Sequence, residues 1–593
     1  MHRISRLVIS NYKACRDIDL LLDDFTPLVG QNNCGKTTIL RSLAWVLKPG
    51  KIETSDFSDP SNPMIVTVQI DGITPDLIKL IPEEKHQKAI APFCKNETLW
   101  IRAEAAAGGK PTQSIWEAAE HFGEGVPTKW RQYPTGIPQA VSAIMPEPLF
   151  IEAMHDVSED LGKAKAGSTI KSLLDEIMGP LLKAHSELNE SLEKIRSILS
   201  TNGTSRSGHL VEFDKQATSS LHDFFPGLSL ELNLEVIDIK EFFKAGSLQV
   251  IDVATGDKRK FDQLGTGAQR SIQMSLIRHL SKIRAGDGVS PVRRLLLIDE
   301  PELYLHPQGA RRLRTALKDL SKKGFQVIFS THSPLMIDRD SASTSVIINR
   351  PNGKGSVAQL PLKHAVVARL KDAQSQGRTL FELGNISEIY FSERVVLCEG
   401  KTDRRLLLLA YERVYGNPPE HDRIAFISLG ACTDIPKALP VLEAMAIQAF
   451  AIVDLDFAFV SGRNSVLSSD GADLVKAKGL LKAMATSHDW KLGENGFPTK
   501  SSAPGKTTAE LWAQFASEED ASAPIAEARN ALLAKRIWAW SKGSIEDVIG
   551  SHDKGEDAII ANESKFMTLT AEEIRSGMPE MVDSFEWIRG GNK

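Results

Sequence analysis

Cysteine is scarce and scattered: Cys15, Cys34, Cys94, Cys398 and Cys432 are all there is, with no C-x-x-C pair among them. That excludes a zinc site of the usual spacing and a disulfide framework, and it suits a reducing cytosol. Long apolar runs are missing too. No stretch reaches the ~18 residues of a membrane-spanning helix, and the opening MHRISRLVISNYKAC has no apolar core of signal-peptide length. A cytoplasmic protein with no membrane partner is expected. Charge of one sign is not in excess either, since the 25% of charged residues leave a net charge of -5. A nucleic-acid partner would therefore have to meet a local basic surface. The chain is long, and its 593 residues predict two or three domains, each with its own core.

What is present is organised around Arg293–Pro307, RRLLLIDEPELYLHP. Leu295–Ile298 reads as a buried strand that ends in two carboxylates, Asp299 and Glu300. Alone, it would be an ordinary buried strand entering a polar turn. Far upstream, however, the apolar run Phe25–Val29 leads into GQNNCGKTT and then into ILRSLAWVL, which has helical spacing. This is G-x-x-x-x-G-K-T in its strand, loop and helix context. Gly30, Asn33, Gly35, Lys36, Thr37 and Thr38 are assigned to a nucleotide: backbone N–H groups wrap the phosphates, Lys36 reaches the β- and γ-phosphates, and Thr37 can hold Mg²⁺. Asp299 then orients the Mg²⁺ shell and Glu300 polarises the attacking water. The expected cofactors are ATP and Mg²⁺.

Around these motifs, strands are expected over residues 3–10, 18–22, 65–70 and 98–103, with a loop from Asn11 to Asp17. Gly108 to Pro146 resists assignment, and no nucleotide-sensing glutamine can be chosen there. Residues 160–222 read as a helical insertion, with apolar stripes at Ile170–Met178 and Leu188–Leu199. It is either an arm that pairs with a second subunit or helices packed on their own domain. Leu228, Leu230, Leu232, Leu234 and Val236 alternate, predicting a strand with one buried face.

Phe261–Arg270 is a Gly-containing turn feeding a helix, and it resembles the signature motif of ABC-type ATPases. On that resemblance Thr266 takes the serine place, Gly267 and Ala268 the glycine pair, and Gln269 the glutamine; the alanine is a departure. After the buried strand Phe325–Ser330, the resemblance makes His332 the γ-phosphate sensor. Residues 1–365 thus resemble an ABC-type ATPase head of the SMC- and RecF-like branch. Because a signature turn acts across subunits, a homodimer or higher homo-oligomer is implied.

A polar linker is read over 366–390. A second α/β unit follows, in which Arg394–Cys398 runs into Glu399, Gly400 and Asp403, and Phe450–Val453 closes on Asp454-Leu455-Asp456. Carboxyl ends of parallel strands face one crevice, so Glu399, Asp454 and Asp456 converge on hard-oxygen chemistry suited to Mg²⁺ or Mn²⁺. E-G-x-x-D followed by D-x-D resembles a Toprim domain, here 391–560, with 561–593 as a C-terminal extension. The fold class is therefore α/β, an ABC-type head with a helical insertion followed by a Rossmann-like Toprim domain.

That pairing resembles the OLD (overcoming lysogenization defect) family, which includes the nuclease subunit of the Gabija system. The resemblance implies an ATP-hydrolysing, divalent-metal-dependent DNA endonuclease in phage exclusion or defence. Its metal ligands would be Glu399, Asp403, Asp454, Asp456 and Glu546, with Lys542 stabilising the transition state. A further ligand within 459–507 stays open among Asp470, Asp473 and Asp489. Accessory partners in the family include a helicase or a retron reverse transcriptase with its msDNA. Two rivals share parts of the pattern. One is a DNA-binding ATPase scaffold with a non-catalytic Toprim domain. The other is a topoisomerase or primase, which needs a tyrosine module or polymerising context; the six tyrosines lie beside no such module.

Overall fold

The computed structural model describes residues 2–117, 125–145, 148–153, 186–200, 204–222, 228–229, 231–232, 249–251, 256–260, 263–286, 292–351, 353–369, 386–463, 465–551 and 556–590. The chain opens with β1 (Arg3–Tyr12), β2 (Cys15–Leu21) and β3 (Phe25–Val29). β1 and β2 meet in a tight hairpin, shorter than the expected loop, because Asn11 and Lys13 both take left-handed backbone. β4 (Met64–Asp71), β5 (Thr98–Ala105), β6 (Thr112–Trp116) and β7 (Trp130–Gln132) extend this antiparallel sheet in the order β2-β1-β4-β5-β6-β7. The stretch that resisted assignment thus holds the last two strands of this sheet, of which β7 is the edge, and the helix Ile137–Ile144.

A second sheet carries the motifs. It uses β3, β8 (Leu149–Ile151), β11 (Arg294–Ile298), β12 (Phe325–Thr331), β13 (Val346–Asn349) and β14 (Val357–Ala358), after a small hairpin of β9 (Gln249–Ile251) and β10 (Lys258–Lys260). Its order is β14-β13-β3-β12-β11-β8, parallel except for β14. Buried on both faces, β11 and β12 are near-continuous apolar runs, as an interior parallel strand requires. The helix Lys36–Leu47 lies between the two sheets, with Ile39, Leu40, Leu43 and Val46 fully buried. Its N-terminus is therefore held rigidly at the carboxyl end of β3.

Ser186–Leu199 is a helix, as the stripe predicts, and Gly208–His222, marked by no stripe but within the expected insertion, is another; Ile170–Met178 lies outside the described residues. The strand expected at Leu228–Val236 does not form at its described positions. Leu228 and Leu232 are exposed, and the backbone of Leu232 pairs with Asp214 and Arg206 side chains of the helical insertion instead of a ladder.

The C-terminal unit is a parallel sheet of β15 (Arg394–Cys398), β16 (Ile424–Ser428), β17 (Gln448–Val453) and β18 (Ile537–Ala539), ordered β16-β15-β17-β18. Helix Lys401–Tyr415 and the last three helices, Glu556–Thr568, Ala571–Gly577 and Pro579–Gly590, cover one face. The other face packs on Ile435–Ala444, Ala472–His488 and Ser522–Leu533 and continues into Val29, Ile337 and Leu362 of the first unit. Tyr390, fully buried, donates its hydroxyl to the Ala342 carbonyl across that junction. Among the described residues no helix is long and apolar enough to cross a membrane.

Candidate functional site

The phosphate loop starts at Gly30, whose φ is +156°. A Cβ there would stand 2.1 Å from the Ile348 carbonyl oxygen of β13, so only glycine fits. Lys36, 5% exposed, donates to the carbonyls of Gly30 (2.9 Å) and Gln31 (2.7 Å). Burial pulls its ammonium below the usual lysine range, partly opposed by Cys34 and Glu300. Asn33 is exposed in left-handed backbone, and Thr38 is half-buried in the first turn of the helix.

Across the sheet, Thr37 Oγ1 donates to Asp299 at 2.9 Å, so the two oxygens assigned to Mg²⁺ meet although 262 residues separate them. Ser330 at the end of β12 also donates to Asp299 and accepts from the Glu300 N–H at 2.9 Å. Glu300 sits at φ +47°, which turns its carboxylate out of the strand; Oε1 lies 3.2 Å from His332 Nε2. Phosphate loop, acidic strand and histidine therefore share one edge, at the carboxyl ends of β3, β11 and β12.

Two residues to which the motifs gave no role complete this edge. Glu302 accepts from Thr331 Oγ1 (2.6 Å) and from the His332 N–H (3.0 Å), and burial raises its carboxyl above the usual range. Arg270, fully buried, donates to the carbonyls of Asp299 (2.5 Å), Glu300 (2.9 Å) and Glu152 (3.1 Å). A charged residue on the inner face of the signature helix was the available signal. That helix spans Thr266–Gly286. Gly265 is exposed and Gly267 half-buried beside Tyr304, whereas Gln269 is buried with its amide on the Leu264 carbonyl.

The second site lies where β15 and β17 run side by side. β15 connects to β16 on one flank, and β17 leads to β18 on the other, so the crevice between β15 and β17 is the topological switch point of the sheet. Glu399 follows β15, and Asp454 and Asp456 follow β17, all half-buried. Cys432 lies near both groups: burial pushes its thiol up, and the charges of Glu399 and Asp456 add to the rise. Lys542 reaches the same edge because the Leu455 N–H donates to the Gly543 carbonyl at 2.7 Å. Gly543 has φ +125°, and a Cβ there would lie 2.5 Å from Asp547 Oδ2. Lys542 is exposed, while Glu546 is 6% exposed in the helix Ile545–Ile549.

Not every candidate ligand is equally placed. Asp403 accepts from the Gly400 N–H at 2.7 Å and so caps its own helix. Asp473 is locked to buried Arg463, Asp470 accepts from Ser468 in an exposed loop, and Asp489 is an exposed helix end. The donor set at the crevice is hard oxygen throughout, which fits Mg²⁺ or Mn²⁺ in kind. Among the described residues no three His, Cys, Asp or Glu are already gathered as a metal shell.

Fold and strand-end residues together define a P-loop ATPase head joined to a Toprim domain. Residues 3–104 and 145–337 match the AAA ATPase domain family, and residues 390–456 match the Toprim domain of overcoming lysogenization defect protein-like proteins. The Old nuclease of Escherichia phage P2 is 31% identical over 598 residues, covering 99% of this chain and 100% of its own. The OLD nuclease of Thermus scotoductus is 26% identical over 477 residues, covering 76% and 82%. The chain belongs to the OLD nuclease family. Among solved structures, an Smc head domain with an extended coiled coil, bound to a ScpA domain derived from Pyrococcus furiosus, overlaps 62% of this chain and 98% of its own at 15% identity and a TM-score of 0.37.

Proposed function

We propose that the chain is a divalent-metal-dependent DNA endonuclease whose Toprim domain hydrolyses phosphodiester bonds under the control of ATP bound at the head. The supporting observation is the placement of Glu399, Asp454 and Asp456 at the switch point of the parallel sheet, with Lys542 tied to the same edge through Gly543 and Leu455. Glu399, Asp454, Asp456 and Glu546 would hold Mg²⁺ or Mn²⁺, which supplies Lewis-acid stabilisation of the attacking and leaving oxygens. Lys542 places a positive charge where the phosphorus centre gathers negative charge. Asp403 serves chiefly to set the helix that follows Glu399. At the head, Lys36 and the loop N–H groups bind the ATP phosphates, Thr37 and Asp299 hold Mg²⁺, and Glu300, oriented by His332, takes the proton of the attacking water.

Gly265 and Ala268 of the signature turn are exposed, which supports closure against the nucleotide of a second copy and hence a homodimer. The helices within 160–222 offer exposed Ile195, Ile198, Val211 and Phe213 as a pairing arm. Domains of 1–365 and 391–560, a cytoplasmic location and a role in phage exclusion or defence are part of the same reading. Supercoiled plasmid incubated with Mg²⁺ or Mn²⁺, with and without ATP, tests it. Cleavage is expected from the intact protein and abolished in Glu399→Ala, and Lys36→Ala reports whether nucleotide restrains or licenses it. Absence of any metal-dependent cleavage, with ATP hydrolysis intact, would favour a DNA-binding ATPase scaffold instead.

A further inference from the structure

The turn that bears Lys542 is held by a helix outside the Toprim strands. On leaving β18, Ser541 gives both of its donors to one carboxylate: its N–H to Glu580 Oε1 at 2.8 Å and its hydroxyl to Glu580 Oε2 at 2.7 Å. Oε1 also accepts from Arg529 Nη2 at 2.6 Å, and Arg529 Nε donates to the Ala539 carbonyl, in β18 itself, at 2.8 Å. The guanidinium lies over the Trp538 ring, 5.3 Å from its centroid. Glu580 stands in the first turn of Pro579–Gly590, where the helix end favours its charge. Its side chain is 14% exposed.

An Arg529–Glu580 ion pair alone would be packing, since partly exposed pairs add little to stability. Packing does not require that both carboxylate oxygens engage the residue before Lys542. On the far side of the lysine, the Gly543 carbonyl is held by Leu455, next to Asp454. Lys542 is thus the exposed residue between two anchored neighbours, one tied to the metal-site strand and one to the C-terminal helix.

We propose that Glu580 is a positioning residue for Lys542, fixing the Ser541–Gly543 turn so that the ammonium is directed to the carboxylate edge of β15 and β17. This rests on the role given to Lys542 above. The test uses the full-length protein with Glu580→Gln, Ser541→Ala, Lys542→Ala and the Glu580→Gln/Lys542→Ala double variant. The readouts are single-turnover plasmid cleavage, DNA affinity, ATP hydrolysis and hydrogen exchange of the Ser541 amide. Glutamine loses the carboxylate charge and can accept only one of the two Ser541 bonds, turning the other into a neutral donation to the Ser541 hydroxyl.

Glu580→Gln is expected to slow cleavage by roughly ten- to a hundredfold, with DNA affinity and ATP hydrolysis unchanged and the Ser541 amide exchanging faster. In the Lys542→Ala background the same change should cost nothing further, because the group it positions is gone. Ser541→Ala should show the pattern at smaller amplitude and serves where Glu580→Gln does not fold. Cleavage at the unaltered rate in Glu580→Gln, or an equal loss with and without Lys542, overturns the proposal. If Lys542→Ala cleaves normally while Ser541 exchange still accelerates in Glu580→Gln, the clamp exists but the lysine role fails. If the intact protein cleaves nothing, the nuclease reading itself fails, and the positioning role with it.

Discussion

Arg270 is where a single substitution separates stability from turnover. Its guanidinium is fully buried, and burial lowers it from the usual arginine range to about 10, with Asp299, Glu302 and Glu300 pulling the other way. That depression corresponds to roughly 3 kcal/mol held against the charged form. Methionine would keep most of the volume and remove this cost, but it strips the carbonyls of Asp299, Glu300 and Glu152 of their donor. At about 2 kcal/mol for each buried acceptor left unmade, the loss outweighs the relief, and a net destabilisation of about 3 kcal/mol is expected. Turnover should suffer more. Glu300 holds its carboxylate toward His332 from a left-handed backbone, and its carbonyl is tied down by Arg270. Releasing that tie would displace the carboxylate proposed as the base, and a displacement of order 1 Å costs about a hundredfold in rate. Phosphate release under saturating ATP, a fluorescent-nucleotide titration and urea unfolding of Arg270→Met would separate the three quantities. Arg270→Lys should fall between, because one flexible ammonium cannot span three carbonyls as the planar fork does. An Arg270→Met protein that turns over ATP within about twofold of the unaltered rate would refute the reasoning.

Two further outcomes follow from the same structure. Glu300→Gln keeps the shape but not the base, so ATP hydrolysis should drop by roughly 10²–10⁴-fold while nucleotide affinity is retained; a comparable loss of affinity would show that Glu300 binds rather than activates. His2 is buried, accepts from the Arg293 N–H at 3.3 Å and is pushed down from 6.5 to about 4, chiefly by burial. The unfolded histidine takes up its proton first as pH falls. Its stability contribution is therefore complete above pH 6.5 and is lost toward pH 4, by up to about 3 kcal/mol. His2→Gln should flatten that part of the stability–pH curve, and an unchanged slope in denaturant unfolding would count against the assignment.

Much of the architecture was legible because buried parallel strands are written as apolar runs. β3, β11, β12, β15 and β17 were each visible in that way, and the polar residues that follow them supplied Lys36, Asp299, His332, Glu399 and Asp454. The antiparallel edge β6-β7 was not, since short half-exposed strands have neither a run nor a clean alternation. At Leu228–Val236 the alternation pointed to a strand, yet side chains of the helical insertion take the backbone of Leu232. Gln269 has the place of a signature glutamine in the pattern, but its amide is turned inward on Leu264.

Local chemistry by itself determined the strand–loop–helix cradle, the acidic strand end, the Toprim acids and the absence of membrane-length runs. A glycine forced by a close carbonyl, or a carboxylate after four apolar residues, leaves a mark within a few positions. Tertiary structure alone decided which of those marks meet. It joined Thr37 to Asp299, buried Arg270 beneath the backbone of the two acids, locked Asp473 to Arg463, and brought Glu580 onto the turn before Lys542. Arg270 and Glu580 engage backbone carbonyls and N–H groups, which every residue carries, and Thr37 meets Asp299 across 262 residues, so no local pattern of side chains could announce these contacts.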